Sequence, residues 1–414
     1  MISYNRFKFF LEKHLLYPLF IVPQGYVPAH STKLCDFQRE SYVKFFYDRD
    51  YITDFNGNCI WWHEEPLNEK DLSDLSNRSI LLNPNQLSEC REWHHCAVPG
   101  HGPIIYDVNI QLFANSEKSN LKNQWIKNNS PMQDWYFFFH GFAALDWFRD
   151  FKYLQNVCEY KISHVFMCLN HLVNDNRSYR LSLLSLLKEH DLLKYGLVSA
   201  PNLNKELIKQ EVFSADTRLS LESKTHIIRN LYPTATPLIL KETNYQLASA
   251  DIPDYAYKSF FNVVTETNFY DNKLHLTEKI FKPIAMHRPF ILVSASGNLE
   301  YLKSYGFETF GRWIDESYDS ESDPDVRLKK IADVIKKLCS LTQHELDLMH
   351  QEMMPILEYN HDHFFGDFKK IIVNELVDNF ETCTKIYNQG LSERFRLPVH
   401  LINFSQVKHD LLRE

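Results

Sequence analysis

The chain has 414 residues, which is enough for two domains of ordinary size. Hydrophobic residues make up 44% and charged residues 24%, a composition typical of a globular protein with a substantial core. The net charge of −8 excludes a general affinity for nucleic acid or anionic lipid, although it is compatible with a local basic groove.

The eight cysteines show no framework spacing, which predicts free, buried thiols in a reducing compartment. Cys90 and Cys96 flank two histidines, but this spacing fits no usual zinc pattern. Near the N-terminus, charges interrupt the apolar residues too early for a spanning helix, and no signal-type cleavage site is visible. We therefore expect no membrane span and a cytoplasmic location.

In chain order, the first half alternates short apolar runs with polar helical stretches. Strands are predicted at 59–62, 80–82, within 104–113 and at 135–139, and a helix is predicted at 116–126. Alternation of this kind is typical of an α/β sheet.

The second half repeats the alternation and then becomes helical. Strands are predicted at 162–169, 196–199, 236–240, 260–264 and 289–293, and helices at 326–338, 342–357 and 364–386. The pattern predicts two Rossmann-like domains, at 1–155 and 156–414, with a helical C-terminal tail that packs against the first domain. The linker is expected between Asp150 and Lys161.

The most informative stretch begins where a predicted strand ends in Thr-Glu-Thr-Asn at 265–268 and continues with Thr-Glu-Lys at 277–279. Thr277 is suited to cap the next helix, which places Glu278 and Lys279 in its first turn. Ligands of open α/β sheets bind where strands end and helices begin. A carboxylate can accept hydrogen bonds from ribose and a lysine can neutralise a diphosphate, so this pair suits a nucleotide sugar.

These residues resemble the donor-binding core of the α1,3-fucosyltransferases, a family of inverting glycosyltransferases with the GT-B fold. The family core has Phe-Glu-Asn-Ser, then Thr-Glu-Lys with an apolar helix, then a Val-Pro-Val strand. Glu266 and Asn268 match the first segment, 277–279 matches the second, and Pro289 begins the strand. The resemblance favours a GDP-linked donor. Because Thr267 interrupts the Glu-Asn pair, the resemblance does not fix fucose as the sugar.

A second match lies upstream, where an apolar run ends at Asn170. The family has a strand, a short loop and then an arginine that opens a helix and contacts the donor phosphates. Arg177 is the closest match in position, and Arg180 is the alternative. Because an arginine at a helix N-terminus opposes the helix dipole, an anionic ligand is one reason for its presence. The other interpretation is a solvated surface arginine. The resemblance covers about residues 155–320 and extends to uncharacterised phage and giant-virus proteins.

Inverting transfer needs a base that deprotonates the acceptor hydroxyl. The family has a Trp-x-Glu-Ser-Pro segment whose glutamate is taken as the base, and this chain has Trp-Trp-His-Glu-Glu-Pro at 61–66. We predict Glu64 as the base and keep Glu65 as the alternative, although both acids also suit a helix N-terminus. His140 is the third candidate.

His140 precedes a glycine, which permits close approach of a ligand. Asp146 and Trp147 follow as candidate acceptor-binding residues, although aromatic residues belong more often to the core. The acidic stretch at 315–319 is similar to a metal-binding motif. We interpret it as a solvated loop, because Arg177 and Lys279 already suit the diphosphate, and we predict neither a metal nor a cofactor.

The leading prediction is a metal-independent inverting glycosyltransferase that moves fucose or another hexose from a nucleotide diphosphate to a glycan hydroxyl. A second is a viral glycosyltransferase that modifies hydroxymethylated DNA bases in the host cytoplasm. The net charge of −8 counts against it, because DNA binding draws on phosphate neutralisation. A third is a non-catalytic GT-B-like binding protein, against which the combination of Arg177, Glu278 and Lys279 argues.

Overall fold

The computed structural model describes residues 20–24, 59–63, 79–81, 105–107, 110–128, 133–153, 162–240, 257–389 and 402–413. Within these ranges the chain forms two parallel four-stranded sheets with helices between and after the strands. The predicted α/β class is confirmed.

The first half contributes six strands: β1 (Phe20–Gln24), β2 (Cys59–His63), β3 (Ser79–Leu81), β4 (Ile105–Asp107), β5 (Ile110–Asn115) and β6 (Gln133–Tyr136). The parallel sheet has the order β1-β2-β5-β6, and β3 pairs with β4 in the antiparallel direction. Helix α1 (Asn120–Asn128) connects β5 to β6, and helix α2 (Phe139–Trp147) follows β6. The predicted strand at 135–139 is thus partly helix, because a short apolar run does not distinguish a buried strand from a buried helix start.

The second sheet contains β7 (His164–Leu169), β8 (Gly196–Ser199), β9 (Ser259–Thr265) and β10 (Phe290–Val293). Its order is β10-β9-β7-β8 and all pairings are parallel. Because β8 and β9 lie on opposite sides of β7, the strand order reverses between β7 and β9. Ligands of open α/β sheets bind at such a switch point, beyond the carboxyl ends of the strands.

The predicted strand at 236–240 is wrong. The segment makes only an isolated bridge between Ala200 and Leu238. Pro233 and Pro237 explain the difference, because proline has no N–H for a strand ladder and is excluded from central strands.

Nine helices of the described ranges belong to the second half: α3 (Tyr179–Glu189), α4 (Lys205–Phe213), α5 (Leu221–His226), α6 (Phe281–Ala285), α7 (Asn298–Ser304), α8 (Pro324–Cys339), α9 (Gln343–His363), α10 (Lys369–Asn388) and α11 (Phe404–Arg413). Asp323 caps α8, and Thr342 with Glu345 forms a capping box at α9. A π-helical turn at Phe364–Phe368 joins α9 to α10.

Helix α10 packs against β6 of the first sheet. Trp135 Nε1 donates to the Leu376 carbonyl at 3.1 Å, and Asn379 Nδ2 donates to the Tyr136 carbonyl at 2.9 Å. Helix α10 therefore contacts the first half of the chain. The predicted linker falls largely on 154–161, which lie outside the described residues.

Three cysteines in the described ranges, Cys168, Cys339 and Cys383, are free and buried, as the scattered spacing predicts. Among the helices that the structure describes, none combines the length and the apolar character that crossing a membrane requires.

Candidate functional site

Polar side chains connect the carboxyl ends of three neighbouring strands at the switch point. The Thr265 hydroxyl, at the end of β9, donates to Asn170 Oδ1 beyond β7 at 3.0 Å. The Asn170 backbone N–H donates to the Ser199 carbonyl at the end of β8 at 3.0 Å. Asn170 and Thr265 are both buried. The predicted donor residue Asn170 therefore fixes the rim of the crevice.

Glu266 lies directly beyond β9 and is 0% exposed. Its carboxylate accepts hydrogen bonds from the Thr277 hydroxyl at 2.5 Å and the Thr277 backbone N–H at 3.2 Å. Burial raises the pKa of the Glu266 carboxyl, and the opposing Lys279 charge and Thr277 bonds do not reverse this. Glu266 joins the strand end to the turn before α6, so its contacts are those of a structural residue.

Asn268 shapes the loop between β9 and α6. Its side-chain amide points to the carbonyls of Asp271 and Lys273, at 3.3 and 3.4 Å, and its own carbonyl accepts from the Ala295 N–H at 3.1 Å. Asn268 is buried. The predicted donor-binding residues Glu266 and Asn268 thus both support the loop from inside.

Thr277 is the N-cap of a 3₁₀ turn at Glu278–Ile280, which continues into α6. Its hydroxyl accepts from the Lys279 backbone N–H at 3.4 Å and from Lys279 Nζ at 3.0 Å. The predicted cap is confirmed, and Glu278 and Lys279 occupy the first turn as expected.

Lys279 carries the exposed charge of this turn. Its Nζ lies 3.1 Å from Glu278 Oε1, and its side chain is 36% exposed. An ammonium group has three N–H donors, and its partners among the described residues, Thr277 and Glu278, occupy two of them. One donor therefore remains for an anion arriving from solvent.

Glu278 is buried, with 7% of its side chain exposed. Burial acts to raise the pKa of its carboxyl, but the Lys279 charge and the hydrogen bond from His140 outweigh it and hold the pKa well below its usual range. Glu278 is therefore a buried, ionised acid in the turn before α6, whereas the pKa of Glu266 is raised.

His140 brings the two halves of the chain together. It lies in the first turn of α2, beyond β6, and its Nδ1 is 3.3 Å from Glu278 Oε2. Its ring also meets the His275 ring edge-on, with 5.2 Å between centroids. His140 Nε2 exposes less than 1 Å², so an acceptor hydroxyl does not reach this nitrogen in the described arrangement.

The two candidate arginines differ completely in their surroundings. Arg180 is buried, and its guanidinium donates to the carbonyls of Leu172 at 2.8 Å, Thr265 at 2.7 Å and Glu266 at 3.2 Å. Arg180 therefore stabilises the end of β9, and its guanidinium is not available to contact a phosphate. Arg177 lies in the 3₁₀ turn Asp175–Arg177 and is half-buried, and its guanidinium has no hydrogen-bond or ion-pair partner among the described residues.

A second connection joins the halves beside the first. Lys118, which follows β5, exchanges backbone hydrogen bonds of 3.1 and 3.0 Å with Leu274 in the β9–α6 loop. Lys273 Nζ lies 3.7 Å from Glu117 Oε1, and both side chains are buried. These residues were not predicted from the sequence. The feature that could have indicated Glu117 and Lys118 is the polar cluster after the predicted strand within 104–113.

Several predicted acceptor-side residues are placed differently or lie outside the description. Glu64 and Glu65 directly follow β2 and are not among the described residues. Asp146 and Trp147 lie at the far end of α2, about 10 Å along the helix axis from His140 at 1.5 Å per residue. The ring of Trp147 packs on the hydrophobic core, so its placement does not support acceptor stacking.

Gly141 permits a close approach, but the neighbour is the protein itself. A Cβ on Gly141 would lie 2.9 Å from the Phe368 ring and 3.4 Å from the Ile372 side chain. The glycine therefore allows α2 to pack against the π-helical turn, which corrects the expectation that it accommodates a ligand.

The acidic stretch at 315–319 is solvated only in part: Asp315 and Ser317 are exposed, as a solvated loop predicts, whereas Glu316, Tyr318 and Asp319 make packed contacts. Asp319 accepts from the N–H groups of Leu299 at 2.8 Å and Glu300 at 3.1 Å, at the start of α7. Glu316 accepts from the Phe310 N–H at 2.7 Å, and Tyr318 is buried. In the ranges that the structure describes, no group of three or more acidic, histidine or cysteine side chains is arranged to hold a metal ion.

Comparison of the chain with protein-family models, curated proteins and solved structures gave no match.

Proposed function

We propose that the protein is an inverting, metal-independent glycosyltransferase of the GT-B type, which moves a hexose or deoxyhexose from a nucleotide diphosphate to a hydroxyl of a glycan. The proposal depends on one observation. The exposed Lys279 ammonium lies in the first turn after β9, beside the point where the order of a parallel sheet reverses. This position and this charge suit the diphosphate of a nucleotide.

The loop after β7 supports the same interpretation. Arg177 lies in that loop and keeps its guanidinium without a partner among the described residues, while Lys279 lies after β9. In open α/β sheets, the loops beyond such neighbouring strands flank the ligand crevice, so we expect the two cations on its two sides. Together they would offset the charge of the departing nucleoside diphosphate without a metal ion.

The acceptor is expected on the side of the first sheet, whose β6–α2 junction meets Glu278 through His140. A glycan hydroxyl there would need a base, and Glu64 or Glu65 remains the prediction for it. Both follow β2 directly in sequence and lie outside the described residues, and β2 belongs to the same parallel sheet as β6, the strand that precedes His140.

The experiment compares Lys279→Ala with Lys303→Ala. Lys303 is the matched control, because its side chain is 38% exposed, similar to Lys279, and it lies on α7 beside Glu300 and Glu316. GDP, UDP and ADP are titrated by calorimetry against each protein, with the corresponding nucleosides alongside. Lys279→Ala should weaken diphosphate binding about tenfold to hundredfold, because a charge-assisted hydrogen bond contributes about 1.5–3 kcal/mol. Nucleoside binding and the Lys303→Ala protein should change little.

Turnover is then measured with a panel of nucleotide sugars in the presence of EDTA. If Lys279→Ala weakens nucleoside binding and diphosphate binding equally, Lys279 does not bind the phosphates. Absence of any diphosphate binding by the wild-type protein would remove the proposed donor site, and activity that is lost in EDTA and restored by magnesium would contradict metal independence.

A further inference from the structure

Glu278 is held from both sides, by residues of different halves of the chain. Lys279 Nζ lies 3.1 Å from Oε1, and His140 Nδ1 lies 3.3 Å from Oε2. The terminal torsion of a glutamate has a broad energy profile, so a free carboxylate would rotate. Two partners on two oxygens fix its plane, and with it the direction of the Lys279 ammonium.

The His140 ring is enclosed by residues of both halves of the chain. His140 is 4% exposed and follows the buried run Phe137–Phe139. Gly141, next to it, packs against Phe368 with no room for a side chain. The backbone at His140 is therefore fixed by the packing of α2, and its imidazole meets Glu278 and His275 of the second half.

The geometry also settles which ring nitrogen carries the proton. A carboxylate can only accept, so Nδ1 must donate to Glu278. Among the described residues, the charged or titratable groups near this pair include Lys279, His275 and Glu266, whose carboxylate is linked to Lys279 through Thr277. Burial, followed by the neighbouring His140, lowers the pKa of His275 well below its usual value, so His275 adds no positive charge beside the pair.

We propose that His140 is a positioning residue of the donor site, whose Nδ1–H orients the Glu278 carboxylate and thereby the Lys279 ammonium toward the diphosphate. The inference rests on the proposed function. It assigns His140 a role through Glu278 and separates it from proton transfer, for which the buried Nε2 is not accessible. The first half of the chain would thus complete a binding site that lies in the second.

The two roles of a histidine can be separated with amide side chains. In His140→Asn, the amide nitrogen takes the approximate place of Nδ1 and keeps a donor for Glu278. In His140→Gln, the amide nitrogen takes the approximate place of Nε2, and in His140→Ala both donors are lost. We expect His140→Asn to bind GDP within about threefold of the wild type, and His140→Gln and His140→Ala to lose about tenfold in GDP affinity. Guanosine affinity should be unchanged in all three, and UDP with uridine provides a parallel pair.

A second measurement distinguishes positioning from general damage to the fold. If His140 acts through Lys279, then His140→Ala should weaken GDP binding in the wild-type background and have no further effect in a Lys279→Ala background. Loss of stability alone would weaken binding equally in both backgrounds. Unfolding midpoints of every variant are measured in parallel. If His140→Ala does not fold, His140→Asn and His140→Gln are compared in the two backgrounds instead.

Three results would overturn the inference. Equal GDP affinity in all His140 variants would show that the contact has no effect on binding. Equal loss in His140→Asn and His140→Gln would show that the Nδ1 donor is not what matters. If His140→Asn and His140→Gln both keep the wild-type GDP affinity but lose turnover, the result would instead indicate proton transfer by His140. In each case the wild-type protein still binds GDP, so the proposed function stands. Failure of the wild type to bind any of the nucleoside diphosphates marks the separate failure of that function.

Discussion

The end of β9 at 265–268 and the turn at 277–279 carry the same kind of polar residues and are used in opposite ways. In the first, Arg180 and Thr277 bind the carbonyls and the carboxylate, and no charge is left at the surface. In the second, Lys279 keeps 36% of its side chain exposed beside an ionised Glu278. Segment 265–268 therefore forms the framework of the site, and segment 277–279 is available for contact with a ligand.

Removing Arg180 should have the largest effect on the framework. Arg180→Met keeps the length of the side chain but leaves the carbonyls of Leu172, Thr265 and Glu266 without this donor. The Glu266 carbonyl keeps the Tyr179 hydroxyl as a donor. Each buried group left without a partner costs about 1–3 kcal/mol, so loss of the other two bonds should lower the free energy of unfolding by at least about 2 kcal/mol. Denaturant unfolding measures this change.

Arg177→Met is the matched control for Arg180, from the same loop region. Arg177 has no partner among the described residues, so its replacement should change the free energy of unfolding by no more than about 0.5 kcal/mol. It should lower diphosphate affinity instead. Similar destabilisation by both substitutions would erase the distinction between framework and contact.

The two buried glutamates should give stability profiles of opposite sign against pH. The pKa of Glu266 is raised from 4.5 by burial, so above about pH 4.5 its ionisation destabilises the folded state. Glu266→Gln should therefore gain stability relative to the wild type as pH rises above that value. The pKa of Glu278 is lowered from 4.5 despite burial, by Lys279 and His140, so its contribution is fully present above about pH 4.5 and is lost as pH falls.

Glu278→Gln should accordingly be less stable than the wild type at neutral pH and approach it in acid. Urea unfolding of both variants and the wild type between about pH 3 and pH 8 measures the two differences. If the two differences in unfolding free energy change with pH in the same direction, Glu266 and Glu278 have similar environments, and the distinction between the two segments is wrong.

Apart from the Arg177 control, the smallest change in stability is expected at Thr277, which joins the two segments. Thr277→Val removes the hydroxyl that binds Glu266 and caps the 3₁₀ turn, and loss of a cap costs about 1 kcal/mol. Thr277→Ser retains the hydroxyl and serves as the control. Thermal unfolding compares the two, and an equal effect of Val and Ser would assign the loss to packing of the methyl group.

Much of this architecture can be predicted from the sequence. The apolar runs at 162–169 and 260–264 coincide with β7 and β9 within two residues, and Thr277 caps the turn that its residue type predicts. These features depend on local sequence, where burial and capping leave a direct signal.

Contacts between distant segments could not be predicted in the same way. Neither the pairing of Lys118 with Leu274 nor the contact of His140 with Glu278 leaves a periodic signal, because each depends on how two sheets face one another. The arginines illustrate the same limit. Arg177 and Arg180 are close in sequence, yet one guanidinium is enclosed by carbonyls and the other is not, and only the fold of the loop after β7 decides which.

The packing of α10 on β6 has a consequence during synthesis of the chain. β6 is the last strand of its sheet among the described residues, and its Tyr136 carbonyl accepts from Asn379, a residue 243 positions later. At about 5–20 residues per second, a ribosome needs about 12–50 s to make that interval. During this time the strand edge lacks its cover and is open to pairing with other chains. The nascent protein thus passes through a period of exposure to aggregation that ends only when α10 emerges.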